Sequence, residues 1–390
     1  MRLLYVIDSL VPGGAEQSLA ALAPRYRDRG IELDVAYLHD RPGLQDVLVD
    51  GGARLSCLAG AGGRAGWAIR ATKLVRRRRP DLIHTTIFEA DVAGRIASVA
   101  GRTPVVSSLV NVEYGPEQFD DPRIRSWRLK AAQFVDVVSA RRVTLFHAIT
   151  NHVADVMATR LRIPRNRIEV VPRGRDPEVL GSRTEARRRS ARRALGVDAD
   201  TSLIVAAARH EYQKGLDVLL EAMPEVLRVV PEARLVIAGR EGNHTEKLKR
   251  LVKSLGLEEA VRLLGARTDV PDLLCAADAF VLPSRWEGLG SVLLEAMALQ
   301  APIVASSLPP VREVVDDQLA RMVPPGQAGS LATEISATLS DRAGSESRAR
   351  RARERFLTDF AIEPVADRMV NFYSVALGRQ PADVQPSQGA

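Results

Sequence analysis

Short runs that are apolar almost throughout alternate along the chain with longer segments of helical period, and the whole rhythm runs twice. The first series reads RLLYVI, ELDVAYL, DLIHTT and PVVSSLV; the second begins at Ser202 with SLIVAAA and continues through RLVIAG, AVRLLG, AFVLPS and PIVASS. Strands buried on both faces lose the alternation of a half-exposed strand. Such runs, spaced by helical patterns, therefore predict parallel strands of doubly wound α/β sheets. Helical segments such as GLDVLLEAMPEVLRVV supply the crossovers. Between the series, Pro172, Gly174, Pro177 and Gly181 interrupt regular structure ahead of the charged run EARRRSARRAL.

This pattern predicts an N-terminal Rossmann-like domain over residues 1–175, a hinge or linker over 176–200, and a second Rossmann-like domain over 201–363. A final amphipathic helix over about 364–378 is expected to pack back on the first domain, and residues 379–390 have the composition of a loose tail. Open parallel sheets bind ligands at the carboxyl ends of their strands, so two such domains facing each other predict a ligand cleft. The length of 390 residues suits this division, since one core rarely grows so large.

Composition narrows the class. Hydrophobic residues make up 46% and charged residues 26%, as in ordinary soluble domains. The two cysteines, Cys57 and Cys275, are too few for a disulfide framework and point to a reducing compartment. The apolar run of MRLLYVIDSL stops at Asp8, too soon for a secretory signal, and no later window reaches the length of a membrane span. The expectation is a cytoplasmic protein. Its formal charge of +7 is uneven: residues 1–175 hold 27 Lys/Arg against 18 Asp/Glu, a net of +9. Arg76 to Arg79, the series Arg123, Arg125, Arg128 and Lys130, and the pair Arg141 and Arg142 either meet an anionic membrane surface at the inner face of the cell or form solvated helix faces. Nucleic acid is set aside, because no basic stripe with interleaved aromatics occurs.

Candidate chemistry sits at predicted strand ends. VPGGAEQSLAALA follows the first strand; Gly13 and Gly14 let backbone approach a ligand, and the helix behind them aims N–H groups at it. A tight turn with no ligand is the other reading. In AARHEYQKGLDVLLEA, Arg209 ends a strand and Lys214 precedes a helix, so the two cations suit a diphosphate and the charge that grows on it as a leaving group. In VLPSRWEGLGSVLLEAMALQ, Glu287 lies in the loop after a strand and Glu295 lies about one turn inside the next helix, on the face of Ser291. Carboxylates accept hydrogen bonds from vicinal hydroxyls, so two at this spacing can hold a hexose and a ribose. Gly288 and Gly290 free the backbone around Leu289. Asp198-Ala199-Asp200 has the D-x-D spacing of metal-dependent transferases but falls in the linker, and the six histidines show no metal-ligand spacing.

EGLGSVLLEAMA, with LLCAADAFVLPS before it and APIVASSLPPVREVV after it, resembles the E-x7-E signature of retaining glycosyltransferase family 4, whose fold is GT-B. The PGGAE loop, the R-x4-KG element, LVIAGREG and GLEEAVRLLGARTDVPDLL follow in the family's order, so the resemblance spans nearly the whole chain. It implies a metal-independent, cofactor-free hexosyltransferase that moves a hexose or N-acetylhexosamine from a nucleotide diphosphate sugar to a glycan or lipid-linked acceptor. By this resemblance Glu295 binds the ribose, and Glu287 with the amides of Gly288, Leu289 and Gly290 binds the transferred sugar. Arg209 and Lys214 hold the diphosphate. Gly239 and Arg240 border the donor, Leu264, Gly265 and Arg267 border the base, and Gly13 and Gly14 close over the phosphates. Where many relatives have a histidine, SLVNVEYGP offers Asn111 and Glu113, either near the reacting sugar or as turn residues. His84 keeps one histidine of a common HTH pattern, and Arg173 and Arg175 replace a PNGVD-like hinge; His84, Glu113 and Arg173 are acceptor-side candidates. Two alternatives stand beside this reading: a nucleotide-sugar-binding protein without turnover, and another GT-B enzyme such as an epimerase or phosphorylase.

Overall fold

A computed structural model describes residues 1–115, 125–198 and 200–379. Arg123, Ala199 and the tail beyond Arg379 lie outside the described residues. The chain forms two compact units, residues 1–174 with 362–390, and residues 175–361.

The first unit is built on a seven-stranded sheet in the order β3-β2-β1-β4-β5-β6-β7. Its strands are β1 (Arg2–Ile7), β2 (Glu32–Tyr37), β3 (Arg54–Cys57), β4 (Leu82–Thr86), β5 (Val105–Leu109), β6 (Leu145–Ala148) and β7 (Ile168–Val170). All neighbours run parallel, with Leu4 opposite Asp34 on one side and Ile83 on the other. The apolar runs read from the sequence are these strands, and β4 and β5 are buried along their whole length. The second unit carries a six-stranded parallel sheet in the order β10-β9-β8-β11-β12-β13. These are β8 (Leu203–Ala207), β9 (Arg234–Ala238), β10 (Val261–Gly265), β11 (Ala279–Leu282), β12 (Ile303–Ser306) and β13 (Arg321–Val323). In both sheets the strand order reverses beside the first strand, which is where ligands of doubly wound sheets sit. The reversal lies between β1 and β4 in one unit and between β8 and β11 in the other.

The last helix, Ile362–Ala376, belongs to the first unit, where Val365, Ala366, Met369, Phe372 and Tyr373 join the core formed by Leu19, Tyr26 and Val35. Arg25 of helix Gly14–Asp28 and Arg29 just beyond it hold its first turns through Glu363 and Asp367. Residues 176–200, expected as a hinge or linker, are integral to the second unit instead. Asp176 caps helix Pro177–Leu180, and Thr184 caps helix Glu185–Leu195 by accepting from the Arg187 N–H at 3.1 Å. Of the five arginines of EARRRSARRAL, Arg189 and Arg193 are exposed and the other three are turned to carboxylates. Arg187 pairs with Asp272, while Arg188 and Arg192 converge on Asp278 at 2.6 and 3.1 Å, with Arg192 buried. The sequence shows the cations but not the carboxylates, which lie some 85 to 90 positions away.

Candidate active site

In the second unit the two loops that flank the reversal carry the predicted chemistry. After β8 runs the segment with Arg209 and Lys214; after β11 runs the segment from Ser284 to Gly290. They are fastened together by main chain and side chain. Gly215 adopts φ +61, and a Cβ there would come within 2.0 Å of the Pro283 carbonyl oxygen, so the KG of the motif needs glycine twice over. The Arg285 N–H donates to the Gln213 carbonyl at 2.8 Å, and Gln213 Nε2 donates to the Trp286 carbonyl at 2.9 Å.

The Arg285 side chain completes this latch. Its guanidinium stacks over the Tyr212 ring at 4.1 Å, donates to the Tyr212 carbonyl, and forks onto Asp217 at 2.8 and 3.1 Å. Lys247 adds a third bond to Asp217 at 2.8 Å. Burial pushes the Asp217 carboxyl up, but the hydrogen bonds from Arg285 and Lys247 outweigh it and hold the group well below the usual carboxylate range. Sequence reasoning missed this pair, because Asp217 reads as an ordinary first-turn acid and Arg285 as a loop residue.

Within this frame Lys214 Nζ donates to Glu287 Oε1 at 2.6 Å, and Ser284 Oγ donates to the same oxygen at 2.7 Å. Both members of the ion pair are shielded, with side-chain exposures of 17% and 6%, so the pair is ordered by its surroundings and not a fluctuating surface contact. The ammonium has two further hydrogens for an anionic ligand. Arg209, by contrast, is exposed, and its guanidinium makes no hydrogen bond or ion pair among the described residues. Gly290 has φ +81, as the expected free backbone requires, whereas the Leu289 side chain lies in the core.

Glu295, on helix Val292–Ala298, accepts from Arg175 Nε at 2.9 Å. Arg175 is buried, and its N–H donates to the Phe360 carbonyl at 3.0 Å. The departure VVPRGRD was the only sequence signal for this partner. At the ends of β9 and β10, Gly239 is required by contact: a Cβ would fall 1.7 Å from the Ala208 carbonyl oxygen. Arg240 is exposed, and Gly265 has φ +68. Two residues expected to border the base have protein partners of their own. The Leu264 side chain packs against the cluster of Ala191 and Leu195, and Arg267 is forked onto Asp269 at 2.7 and 2.5 Å.

The first unit places its candidates differently. Gly13 has φ −155, extended backbone open to any residue, and precedes a helix start that no side chain caps. The Glu16 carboxylate occupies the space that a Gly13 Cβ would fill, at 2.5 Å. His84 is corrected from an acceptor-side residue to a core one. It is 1% exposed, and both ring nitrogens are taken, by Tyr373 Oη at 2.8 Å and Ser108 Oγ at 2.7 Å. The protons of this chain can be ordered. The Val171 carbonyl only accepts, so His147 carries its proton on Nε2 and its Nδ1 accepts from Ser108. Ser108 then accepts from His84 Nε2–H, and His84 Nδ1 accepts from Tyr373, which in turn accepts from Tyr26. Burial keeps both imidazoles neutral, lowering His147 to about 4 and His84 well below its ordinary value.

Arg173 lines a cavity of about 40 Å³ beside this chain. Asn111 Oδ1 accepts from the Val112 N–H at 3.0 Å, and the Glu113 carbonyl accepts from Arg160. Asp8, which stops the apolar run directly after β1, accepts from the Ala90 N–H at 3.0 Å. Burial pushes its carboxyl up to about 7, with Glu89 and Glu16 adding to the effect. At the end of the neighbouring β4, Ile87 is held at φ 77 and ψ 141, a strained conformation for a β-branched residue.

Comparison with known proteins settles the class. Residues 12–179 match the model described as glycosyltransferase family 4, and residues 187–355 match that of glycosyl transferases group 1. The chain belongs to the family 4, group 1 glycosyltransferases. This glycosyltransferase is 24% identical over 312 residues to the alpha-D-kanosaminyltransferase of Streptomyces kanamyceticus, covering 79% of its own chain and 80% of that protein. It is 37% identical over 162 residues to a D-inositol 3-phosphate glycosyltransferase of Kineococcus radiotolerans, 39% and 37% of the two chains. The crystal structure of Anabaena HepE in complex with UDP-glucose matches with a TM-score of 0.86 at 24% identity, over 96% of this chain and all of that one. The fold of this glycosyltransferase is therefore GT-B, with two Rossmann-like units.

Proposed function

We propose that this glycosyltransferase transfers a hexose or N-acetylhexosamine from a nucleotide diphosphate sugar to a hydroxyl of a glycan or lipid-linked acceptor, with retention at the anomeric carbon and without a metal ion. The observation that carries the reading is the Lys214–Glu287 pair, set in two interlocked loops where the strand order of the second unit reverses. A diphosphate placed there meets the spare hydrogens of Lys214 and the unengaged guanidinium of Arg209. Glu287 keeps a second oxygen for sugar hydroxyls, and Glu295 serves the ribose while Arg175 orients it.

In the retaining step the bond from the anomeric carbon to the diphosphate oxygen breaks, and a bond to the acceptor oxygen forms on the same face. The departing phosphate oxygen takes the acceptor's proton. Arg209 and Lys214 stabilise the charge on that leaving group, which gives a divalent cation's usual work to side chains. Among the described residues no group of three or more His, Cys, Asp or Glu is placed to hold a metal ion. The binding of UDP-glucose by HepE makes a uridine diphosphate sugar the first donor to test.

Thermal-shift screening against nucleoside diphosphates comes first: a ligand at 100 times its Kd should raise stability by about 2.7 kcal/mol. Glu295→Gln should weaken the best nucleotide by roughly 1 to 3 kcal/mol. A chain that no nucleoside diphosphate stabilises contradicts the proposal. One that binds donor yet releases no nucleoside diphosphate with any acceptor is instead a binding protein.

A further inference from the structure

Helix Ser126–Ala140 is inside out. A surface helix ordinarily buries its apolar stripe and exposes its polar face. Here, at 3.6 residues per turn, Trp127, Ala131, Phe134 and Val138 form one stripe with Val135 beside it, and that stripe faces solvent. Trp127 is 64% exposed, Phe134 70%, Val138 48% and Val135 42%. The face turned inward mixes small apolar residues such as Ala132 and Ala140 with a polar centre. Asp136 is buried against Arg95 at 2.6 Å and accepts from the Tyr114 hydroxyl at 2.8 Å. Ser139 accepts from the same guanidinium at 2.9 Å, and Gln133 donates to the Arg160 carbonyl. Rolling the helix to hide its stripe would take Asp136 from Arg95 and the Tyr114 hydroxyl and leave Arg95, among the described residues, only Asp91 at 3.6 Å as a counter-charge, so the inversion is fixed by the fold.

Within residues 125–142 the exposed charges are all of one sign. Arg125, Arg128, Lys130, Arg141 and Arg142 are exposed, and Asp136, the sole carboxylate between positions 125 and 142, is buried. On the helical wheel Arg128 and Lys130 stand on opposite edges of the stripe, and the Arg128 guanidinium lies 5.4 Å from the Trp127 ring. The adjoining helix Phe88–Gly101 exposes Ile96 and Val99. An apolar ridge with an aromatic at one end and cations along both edges is the pattern of an interfacial helix, with rings at the headgroup level and cations on lipid phosphates. The same cations would repel a second copy of this face, which favours lipid over self-association.

We propose that helix Ser126–Ala140 docks the protein on an anionic lipid surface, laying Trp127, Phe134 and Val138 into the interface while the flanking cations hold lipid phosphates. This goes beyond the transferase reading and does not rest on it. It assigns a place to the basic character of the first unit through Arg125, Arg128, Lys130, Arg141 and Arg142; Arg123 lies outside the described residues.

The test is flotation of the full chain with vesicles of phosphatidylcholine alone and of phosphatidylcholine with phosphatidylglycerol. Binding is expected only with the anionic lipid, with release at high salt. The pair Trp127→Ser and Phe134→Ser should lower the bound fraction by on the order of tenfold, as should Arg128→Gln with Lys130→Gln. Tryptophan emission should shift to the blue on vesicle addition, and Trp127→Ser should abolish the shift. All four side chains are solvent-exposed or at the exposed edge, so melting temperature and nucleotide-diphosphate binding should stay at wild-type values. Three results overturn the proposal: no flotation with the anionic vesicles, flotation that ignores the Trp127 and Phe134 changes, or a solution dimer that Phe134→Ser dissolves.

Discussion

Lys214 and Glu287 stand 73 positions apart and share one hydrogen bond of 2.6 Å. Glu287→Gln keeps an acceptor for Lys214 and Ser284 but removes the charge; turnover should fall on the order of 10²-fold, with the melting temperature within a few degrees of wild type, checked by steady-state kinetics and calorimetry. Asp8 offers a test of opposite kind. Its carboxyl titrates near 7 in the folded chain and near 3.8 when unfolded, so between those values the native state holds more protons. Its contribution to stability therefore grows as pH falls from about 7 toward 4 and is lost as pH rises through 7. Asp8→Asn, which keeps an oxygen for the Ala90 N–H, should raise the melting temperature above pH 7, and the gain should shrink to nothing by about pH 4. Glu287, Lys214 and Glu295 were legible in the sequence because glycine-bounded loops and a helix fix their spacing locally. Asp217 and Arg285 were not, and Arg175 showed only as a departure from the usual hinge. Their roles are set by partners brought close only by the sheets, and a lone Arg or Asp carries no sign of its partner.

At the scale of elements, strands and crossovers could be read directly, since strands buried on both faces leave unbroken apolar runs. The inverted helix Ser126–Ala140 and the packed helix Glu185–Leu195 could not. In each, buried ion pairs override the ordinary link between polarity and exposure. The helix Ile362–Ala376 is tied to the sheet of the first unit by more than apolar packing, because its Tyr373 is the hub between Tyr26 and His84. Tyr373→Phe leaves His84 Nδ1 without a donor in a dry core. The expected loss is about 1 to 3 kcal/mol, visible as a lower denaturation midpoint of the first unit, with nucleotide affinity unchanged. An equal fall in nucleotide affinity would show that the chain of hydroxyls and imidazoles reaches beyond the core.

At the scale of the whole molecule, the second unit is one continuous stretch and the first is not. Expressed alone, residues 175–361 hold their own sheet, their own core and the Lys214–Glu287 pair. That fragment should fold cooperatively by circular dichroism and bind the same nucleoside diphosphate as the full chain. A chain ending at Ala361 should instead aggregate, since Leu19, Tyr26 and Val35 would lose the helix that covers them. The sequence showed the two series of strands and ended the first domain at 175, beside the observed division, but began the second some 25 residues late, because an arginine-rich run between prolines and glycines imitates a linker. The order of the pieces also sets a timetable for biosynthesis. The ribosome finishes the second unit while the first still lacks its closing helix, so residues 1–174, made before the second unit, are secured after it. Through that interval a half-covered sheet waits on residues 362–376, and a stop codon ahead of Ile362 would cost the unit begun first.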